Sequence, residues 1–266
     1  WNTRSASAQT KSAILLAGLC GGVQVSVIES QRSRDHTERM LTSLGAPVET
    51  DELTVSLSPV DAIAPVDLTV PGDPSSAAYF IALAVLGKGV VELPGVCVNK
   101  TRTGFMDSLM AMGAEVECGE REAAAGDTVA TIIARPSSLR DFTVDPVTVP
   151  SMIDELPLLA CVAAAAGVTL EVHGARELRV KESDRIAAVS RNLRAVGAQV
   201  EEYQDGFIVK PGAGRLSGKV VTEGDHRIAM SFGVLGALSG NAIDIDDPDC
   251  VAVSYPAFWQ DLASVR

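Results

Sequence analysis

Apolar residues fall at helical spacing in residues 12–19, 76–86 and 154–166, and a short alternating segment follows each run, at 23–28, 90–93 and 169–172. A second, amphipathic helical run comes next each time, over 35–44, 101–112 and 182–196. These three runs end alike, in Leu44-Gly45-Ala46-Pro47-Val48-Glu49, Met112-Gly113-Ala114-Glu115-Val116-Glu117 and Val196-Gly197-Ala198-Gln199-Val200-Glu201. Each glycine stands where a helix stops and an extended segment starts. Further strands are expected at 54–57, 130–133 and 206–209, and a partial fourth copy has helices at 226–238 and 255–263 around a strand at 242–245. The pattern predicts a small α/β unit, used about four times. A repeat of roughly 70 residues is too long for most solenoids, so the copies should assemble into compact domains.

The first helix of each copy is apolar almost all round, which predicts burial on several sides. Aromatic residues are only 4% of the chain, so layers of helix on sheet suit it better than a sandwich packed with large rings, and an α/β or α+β layout is expected. Between Ser58 and Pro74 lie four prolines and the turn signal Pro71-Gly72-Asp73-Pro74. That segment is read as an interdomain crossing with a boundary near residue 71, dividing the chain into 1–71 and 72–266. A loop joining two repeats inside one domain is the other reading.

Charge narrows the ligands. Lys and Arg total 22 against 34 Asp and Glu, a net charge of -12, which opposes bulk attraction to nucleic acid or to an anionic membrane. Any anion must be held by a local cluster of cations. The longest apolar stretch, residues 156–170, is interrupted by Pro157, Gly167 and Thr169 and falls short of the ~20 residues that span a bilayer. Cysteines 20, 97, 118, 161 and 250 are odd in number, with no C-x-x-C pair and no nearby histidine cluster, so neither a disulfide frame nor a zinc site is expected. Reduced, cytoplasmic surroundings follow. The chain opens on Trp1 rather than Met, and residues through Arg4 show no basic leader before an apolar run. It is expected to begin inside a longer protein.

Candidate chemistry collects at helix starts. Val180-Lys181-Glu182-Ser183-Asp184-Arg185 places Ser183 or Glu182 to cap a helix, with Lys181 and Arg185 four apart so that both can clamp an anion from one side while Glu182 serves as acid or base. A solvated helix start with an internal ion pair explains the same residues. Asp225-His226-Arg227 precedes an apolar helix, where free N–H groups favour anions and Arg227 adds a bidentate cation; a plain Asp225 cap is the alternative. Asp154-Glu155 before the most apolar helix reads first as a cap. Ser7-Ala8-Gln9 and Arg34-Asp35-His36-Thr37-Glu38 offer hydroxyl, amide and guanidinium groups for phosphate and hydroxyl recognition, or ordinary caps. Recurrence of such starts in related units favours one anion-lined cleft.

In these motifs, together with Lys11-Ser12-Ala13 and Gly72-Asp73-Pro74-Ser75-Ser76-Ala77, the chain resembles the 5-enolpyruvylshikimate-3-phosphate synthase family, in order from about Ser5 to Leu262. The resemblance implies two domains, each of three β-α-β-α-β-β copies, with the active site between them; here the first domain would be incomplete and the chain N-terminally truncated. It implies transfer of the enolpyruvyl group of phosphoenolpyruvate to the 5-hydroxyl of shikimate 3-phosphate, in the shikimate pathway to chorismate and aromatic amino acids. Phosphate leaves through a tetrahedral intermediate, with no metal or organic cofactor and with small molecules as partners of a monomer when full length. Asp154 would take the proton of the attacking hydroxyl and Glu182 would share proton transfer at the phosphoenolpyruvate methylene. Shikimate 3-phosphate would be held by Ser7, the Ala8 backbone, Gln9, Arg34, Asp154 and Lys181, and phosphoenolpyruvate by Gln9, Arg185 and Arg227.

The chain departs from the family pattern in places. Many members carry Lys two positions before the aromatic-Pro pair near the C-terminus, where this chain has Val253 before Ser254-Tyr255-Pro256. The family's front portion, with its Lys-Ser phosphate motif and Gly-Asn-Ala-Gly-Thr segment, is absent. The chain alone is therefore expected to be inactive, and a noncatalytic fragment that only binds anions or a partner is the competing reading. A UDP-N-acetylglucosamine enolpyruvyl transferase and an RNA 3′-phosphate cyclase share the repeat, but the segments from Lys181 to Arg185 and from Asp225 to Met230 disfavour both.

Overall fold

Gly45, Gly113 and Gly197 adopt φ values of 82°, 102° and 98° in a computed structural model of the chain, a left-handed region where a side chain is strained. Each ends a helix and releases the chain into a strand, as the repeat predicts. The structure describes residues 1–3, 7–124, 126–212 and 214–265, so that Arg4, Ser5 and Arg266 lie outside the described residues.

The first unit comprises α1 (Ala8–Gly21), β1 (Val25–Ile28), α2 (His36–Ser43), β2 (Val48–Asp51) and β3 (Thr54–Leu57). The second comprises α3 (Pro74–Leu86), β4 (Val91–Cys97), α4 (Gly104–Ala111), β5 (Glu115–Cys118), β6 (Glu122–Ala124) and β7 (Asp127–Arg135). The third adds a leading strand, β8 (Phe142–Thr143), to α5 (Leu156–Ala166), β9 (Leu170–Val172), α6 (Arg185–Ala195), β10 (Gln199–Tyr203) and β11 (Gly206–Lys210). The fourth holds β12 (Ser217–Val220), α7 (His226–Ala237), β13 (Ala242–Ile245) and α8 (Phe258–Ser264).

Sheet register repeats with the units. Three antiparallel sheets share one order, β1-β3-β2, β4-β7-β5 and β9-β11-β10, with the last strand of the unit in the middle. A parallel partner enters ahead of each first helix. In the third and fourth units it is a strand, β8 on β9 and β12 on β13. In the first and second it has shrunk to the single bridges Asn2–Ile28 and Gly72–Val96. The short parallel strands escaped the sequence pattern because two to four residues give too little alternation to read.

Buried apolar side chains form two clusters. The smaller gathers Leu15, Val27, Leu41, Ala46, Val55 and Leu57. The larger runs from Ala77 to Leu262 and is centred on α3, α5 and α7, which pack against one another. Every residue of α5 from Leu156 to Ala163 is buried, which explains a helix with no polar face. No helix among the described residues is long and apolar enough to cross a membrane.

Two helix starts differ from the sequence pattern. Pro157 occupies the first turn of α5, and the preceding Ile153–Glu155 forms a 3₁₀ turn rather than helix. The other helix begins at Arg185 and is capped by Asp184, whose carboxylate accepts from Ala187 N at 3.0 Å, not by Ser183 or Glu182. Lys181 follows a 3₁₀ turn, Arg176–Val180, so Lys181 and Arg185 do not share a helix face as their spacing suggested.

Candidate functional site

The first helix of each unit brings its N-terminus to one place. Ser7 caps α1, accepting from Thr10 N at 3.3 Å, and Asp73 caps α3 through Ser75 N and Ser76 N. Asp225 caps α7 through Arg227 N at 2.9 Å. The starts of α3, α5 and α7 are tied together by Glu155, which receives the Ser75 hydroxyl and, at 3.2 Å, Nη1 of Arg227. The starts of α1 and α7 and the turn that leads into α5 line a cleft of about 890 Å³, and α3 is joined to it through Glu155. Unpaired N–H groups and aligned peptide dipoles make such an end a natural seat for anions.

Ser7, Ala8, Gln9, Arg34, Asp154, Lys181, Glu182 and Arg227 all line this cleft. Eight of the nine residues singled out in the sequence therefore meet in one hollow. Asp154 lies at its centre: Arg34 from the loop before α2 donates Nη2 to Oδ2 at 2.7 Å, and Arg227 Nη2 stands 4.0 Å from the same oxygen. Lys181 pairs with Glu177 at 3.0 Å.

Arg185 is the ninth, and its side chain is only 1% exposed behind the cleft wall. Its guanidinium reaches three carboxylates, Asp154 Oδ1 at 3.1 Å, Glu182 Oε2 at 2.6 Å and Asp225 Oδ2 at 2.8 Å. Ser183 adds a hydroxyl to Asp225 at 2.8 Å. In this arrangement Arg185 ties together three acids at the cleft wall.

Electrostatics follow from this packing. Burial opposes ionisation of Asp154, but the charges of Arg227, Arg34 and Lys181 outweigh it and hold its carboxyl well below the usual range. Asp225 is likewise depressed: burial resists, and hydrogen bonds from Arg185, Ser183 and the Arg227 backbone prevail. His226, beside it, is pushed down by burial and by the Arg227 charge.

Sequence reading overlooked Arg102 and Glu177, which also line the cleft. Arg102 donates Nη2 to Asp73 at 2.9 Å and to Ser75 Oγ at 2.8 Å. The repeat held the signal: Arg102 precedes α4 as Arg34 precedes α2 and Lys181 precedes α6, so successive units each deliver a cation from the same loop. With Arg102 counted, the described lining carries Arg34, Arg102, Lys181 and Arg227 against Asp154, Glu177 and Glu182. A locally positive hollow in a chain of net charge -12 can bind anionic small molecules.

Comparison with known proteins places this arrangement. A sequence model of the family described as EPSP synthase (3-phosphoshikimate 1-carboxyvinyltransferase) matches residues 2–262. A 3-phosphoshikimate 1-carboxyvinyltransferase of Sulfurihydrogenibium sp. (strain YO3AOP1) is 46% identical over 97% of this chain and 61% of its own length. That of Aquifex aeolicus is 44% identical over 98% of this chain and 62% of its own length. The solved EPSP synthase of Acinetobacter baumannii superposes with a TM-score of 0.91 at 37% identity, covering 99% of this chain and 61% of that one. The chain spans about three fifths of the length of the relatives it matches.

Proposed function

The chain belongs to the EPSP synthase family and has its α/β fold, and from that premise we propose that its cleft takes part in enolpyruvyl transfer from phosphoenolpyruvate to the 5-hydroxyl of shikimate 3-phosphate. Residues 1–71 and 72–266 act as parts of two domains facing each other across the cleft, a division supported by the two separate apolar clusters. The observation that carries the reading is the position of Asp154, held by Arg34 from one side and by Arg185 and Arg227 from the other.

The hydroxyl oxygen of shikimate 3-phosphate adds to C2 of phosphoenolpyruvate, its proton passes to Asp154, and the C3 methylene takes a proton from Glu182. The tetrahedral intermediate then breaks its C2–O bond to phosphate, which leaves with the proton held by Asp154, while a methyl proton returns to Glu182 and restores the vinyl group. Both acids end as they began, and phosphate is the sole leaving group. Ser7, Ala8, Gln9, Arg34, Asp154 and Lys181 hold the shikimate phosphate and ring hydroxyls, and Gln9, Arg185 and Arg227 hold phosphoenolpyruvate. Arg185 also fixes Asp154 and Glu182.

The depressed Asp154 carboxyl is a weak base in the ligand-free cleft. Substrate anions that engage Arg227, Arg34 and Lys181 loosen the hold of those cations on Asp154 and raise its proton affinity when a hydroxyl is beside it. The substrate thus tunes its own base.

An exchange of segments tests the substrate assignment: this chain replaces the matched segment of the Aquifex aeolicus relative, and phosphate release is followed with phosphoenolpyruvate and either acceptor. Release with shikimate 3-phosphate and none with UDP-N-acetylglucosamine is expected. Release with the nucleotide sugar alone, or none with either acceptor while the unexchanged relative works, contradicts the proposal.

A further inference from the structure

Away from the centre of the cleft, three metal-ligating side chains of different chemistry meet. His36 opens α2, Cys97 ends β4 and Asp127 begins β7, and their donor atoms lie within 4.8 Å of one another. No sequence spacing announces the group, because its members come from three elements and two units. We propose that His36, Cys97 and Asp127 form a binding site for a borderline divalent metal ion of the zinc type.

The donor set decides the class of ion. A thiolate and an imidazole beside one carboxylate suit Zn²⁺ or Co²⁺ and disfavour Mg²⁺ and Ca²⁺, which take oxygen donors. A tetrahedral ion with bonds of about 2.0–2.3 Å places its donors about 3.3–3.7 Å apart, so donors that lie within 4.8 Å of one another close in by roughly 1–1.5 Å at the widest, while the 2.5 Å contact between His36 Nδ1 and Asp127 Oδ2 opens by about 1 Å. Three protein donors also leave a fourth position for water.

The surroundings already resemble a held set of ligands. Nδ1 of His36 lies 2.5 Å from Asp127 Oδ2, which fixes the ring. Asn99 Nδ2 donates to Asp127 Oδ1 at 2.7 Å and to Asp35 Oδ1 at 2.7 Å, orienting the carboxylate from outside. Arg39 donates Nε to Asp35 at 2.8 Å and also pairs with Asp127 Oδ1 at 3.9 Å, on the carboxylate oxygen that does not face His36. Cys97 is itself buried, with its thiol shielded from solvent, and the thiol proton leaves to solvent as the metal binds.

Such an ion joins α2 to β4 and β7, and with them the wall that bears Arg34 to the body that bears Asp154. Its binding is therefore expected to stiffen one edge of the cleft, and it rests on no assumption about the reaction.

Cobalt reports the ligands directly. The full 266-residue chain, reduced and free of chelators, is titrated with Co²⁺ and then with Zn²⁺. The expected result is one equivalent of Co²⁺ with visible bands of a tetrahedral centre and a near-ultraviolet thiolate-to-cobalt band, all displaced by Zn²⁺. Cys97→Ala removes the thiolate band, although Cys20, Cys118, Cys161 and Cys250 remain. His36→Gln, at a partly exposed position, lowers the affinity by ~10–100-fold and provides a second test if the buried substitution impairs folding. Failure of the unsubstituted chain to bind Co²⁺, persistence of the thiolate band in Cys97→Ala, or unchanged affinity in His36→Gln overturns the proposal.

Discussion

Arg185 depends on its acids, and Asp225 is the one with no solvent to fall back on, at 0% exposure. Replacing Asp225 by Asn keeps the shape and the cap on α7 but removes one counter-charge from a buried guanidinium. Removing a partner of a buried pair costs about 3–5 kcal/mol; with Asp154 and Glu182 still in place, a loss near the lower limit is expected in urea unfolding. The pH dependence has a definite sign. The carboxyls of Asp154 and Asp225 lie below their unfolded value of about 3.9, so their stabilisation is complete above that value and disappears as pH falls through the lower folded values. Unfolding midpoints should drop steeply below pH ~4, and Asp225→Asn should make the drop shallower. Arg102 differs in kind, since it lines the cleft: Arg102→Gln in the exchanged enzyme should raise KM for an anionic substrate roughly 10-fold or more, as expected for loss of a charged hydrogen bond. An unchanged KM in steady-state kinetics removes Arg102 from the binding surface.

Among the elements, the repeat is what the sequence displays most clearly. Gly45, Gly113 and Gly197 each turn with positive φ, and the helices and hairpins around them match the spacing of apolar positions. Strands 54–57 and 242–245 coincide with β3 and β13. The start of α6 was less legible because Glu182, Ser183 and Asp184 are all competent caps, and only the 3₁₀ turn ahead of them selects Asp184. Arg102 was missed for a related reason: before α4 it reads as one polar residue in a polar loop, and its partners Asp73 and Ser75 are distant in sequence. The same long-range closure hid the meeting of His36, Cys97 and Asp127. Tight element packing yields its own test at Gly206, where an added Cβ would sit 1.8 Å from the Val172 carbonyl oxygen. Gly206→Ala must push β11 from β9, and a loss of about 1–3 kcal/mol is expected from overpacking. A melting curve indistinguishable from the unsubstituted chain would refute that register.

Across the whole molecule, related units deliver helix starts and the loops ahead of them to one hollow, and the cations that the repeat supplies reverse the sign of a net acidic chain there. Much of this site was legible because chemistry-bearing residues lie next to helix starts, which sequence locates well. What lay beyond reach was the difference in burial among the cations. Arg185 and Arg227 look alike in sequence, but burial commits the first to three carboxylates and leaves the second on the cleft surface. The central claim is that Asp154, gripped by Arg34 and Arg227, is the group that takes the hydroxyl proton. The most direct measurement is the single-turnover rate of phosphate release by the exchanged enzyme with Asp154→Asn, both substrates saturating. A fall of ~10²–10⁴ with substrate binding retained is predicted; a rate within threefold of the unsubstituted enzyme, roughly the scatter of a spectator position, contradicts the account.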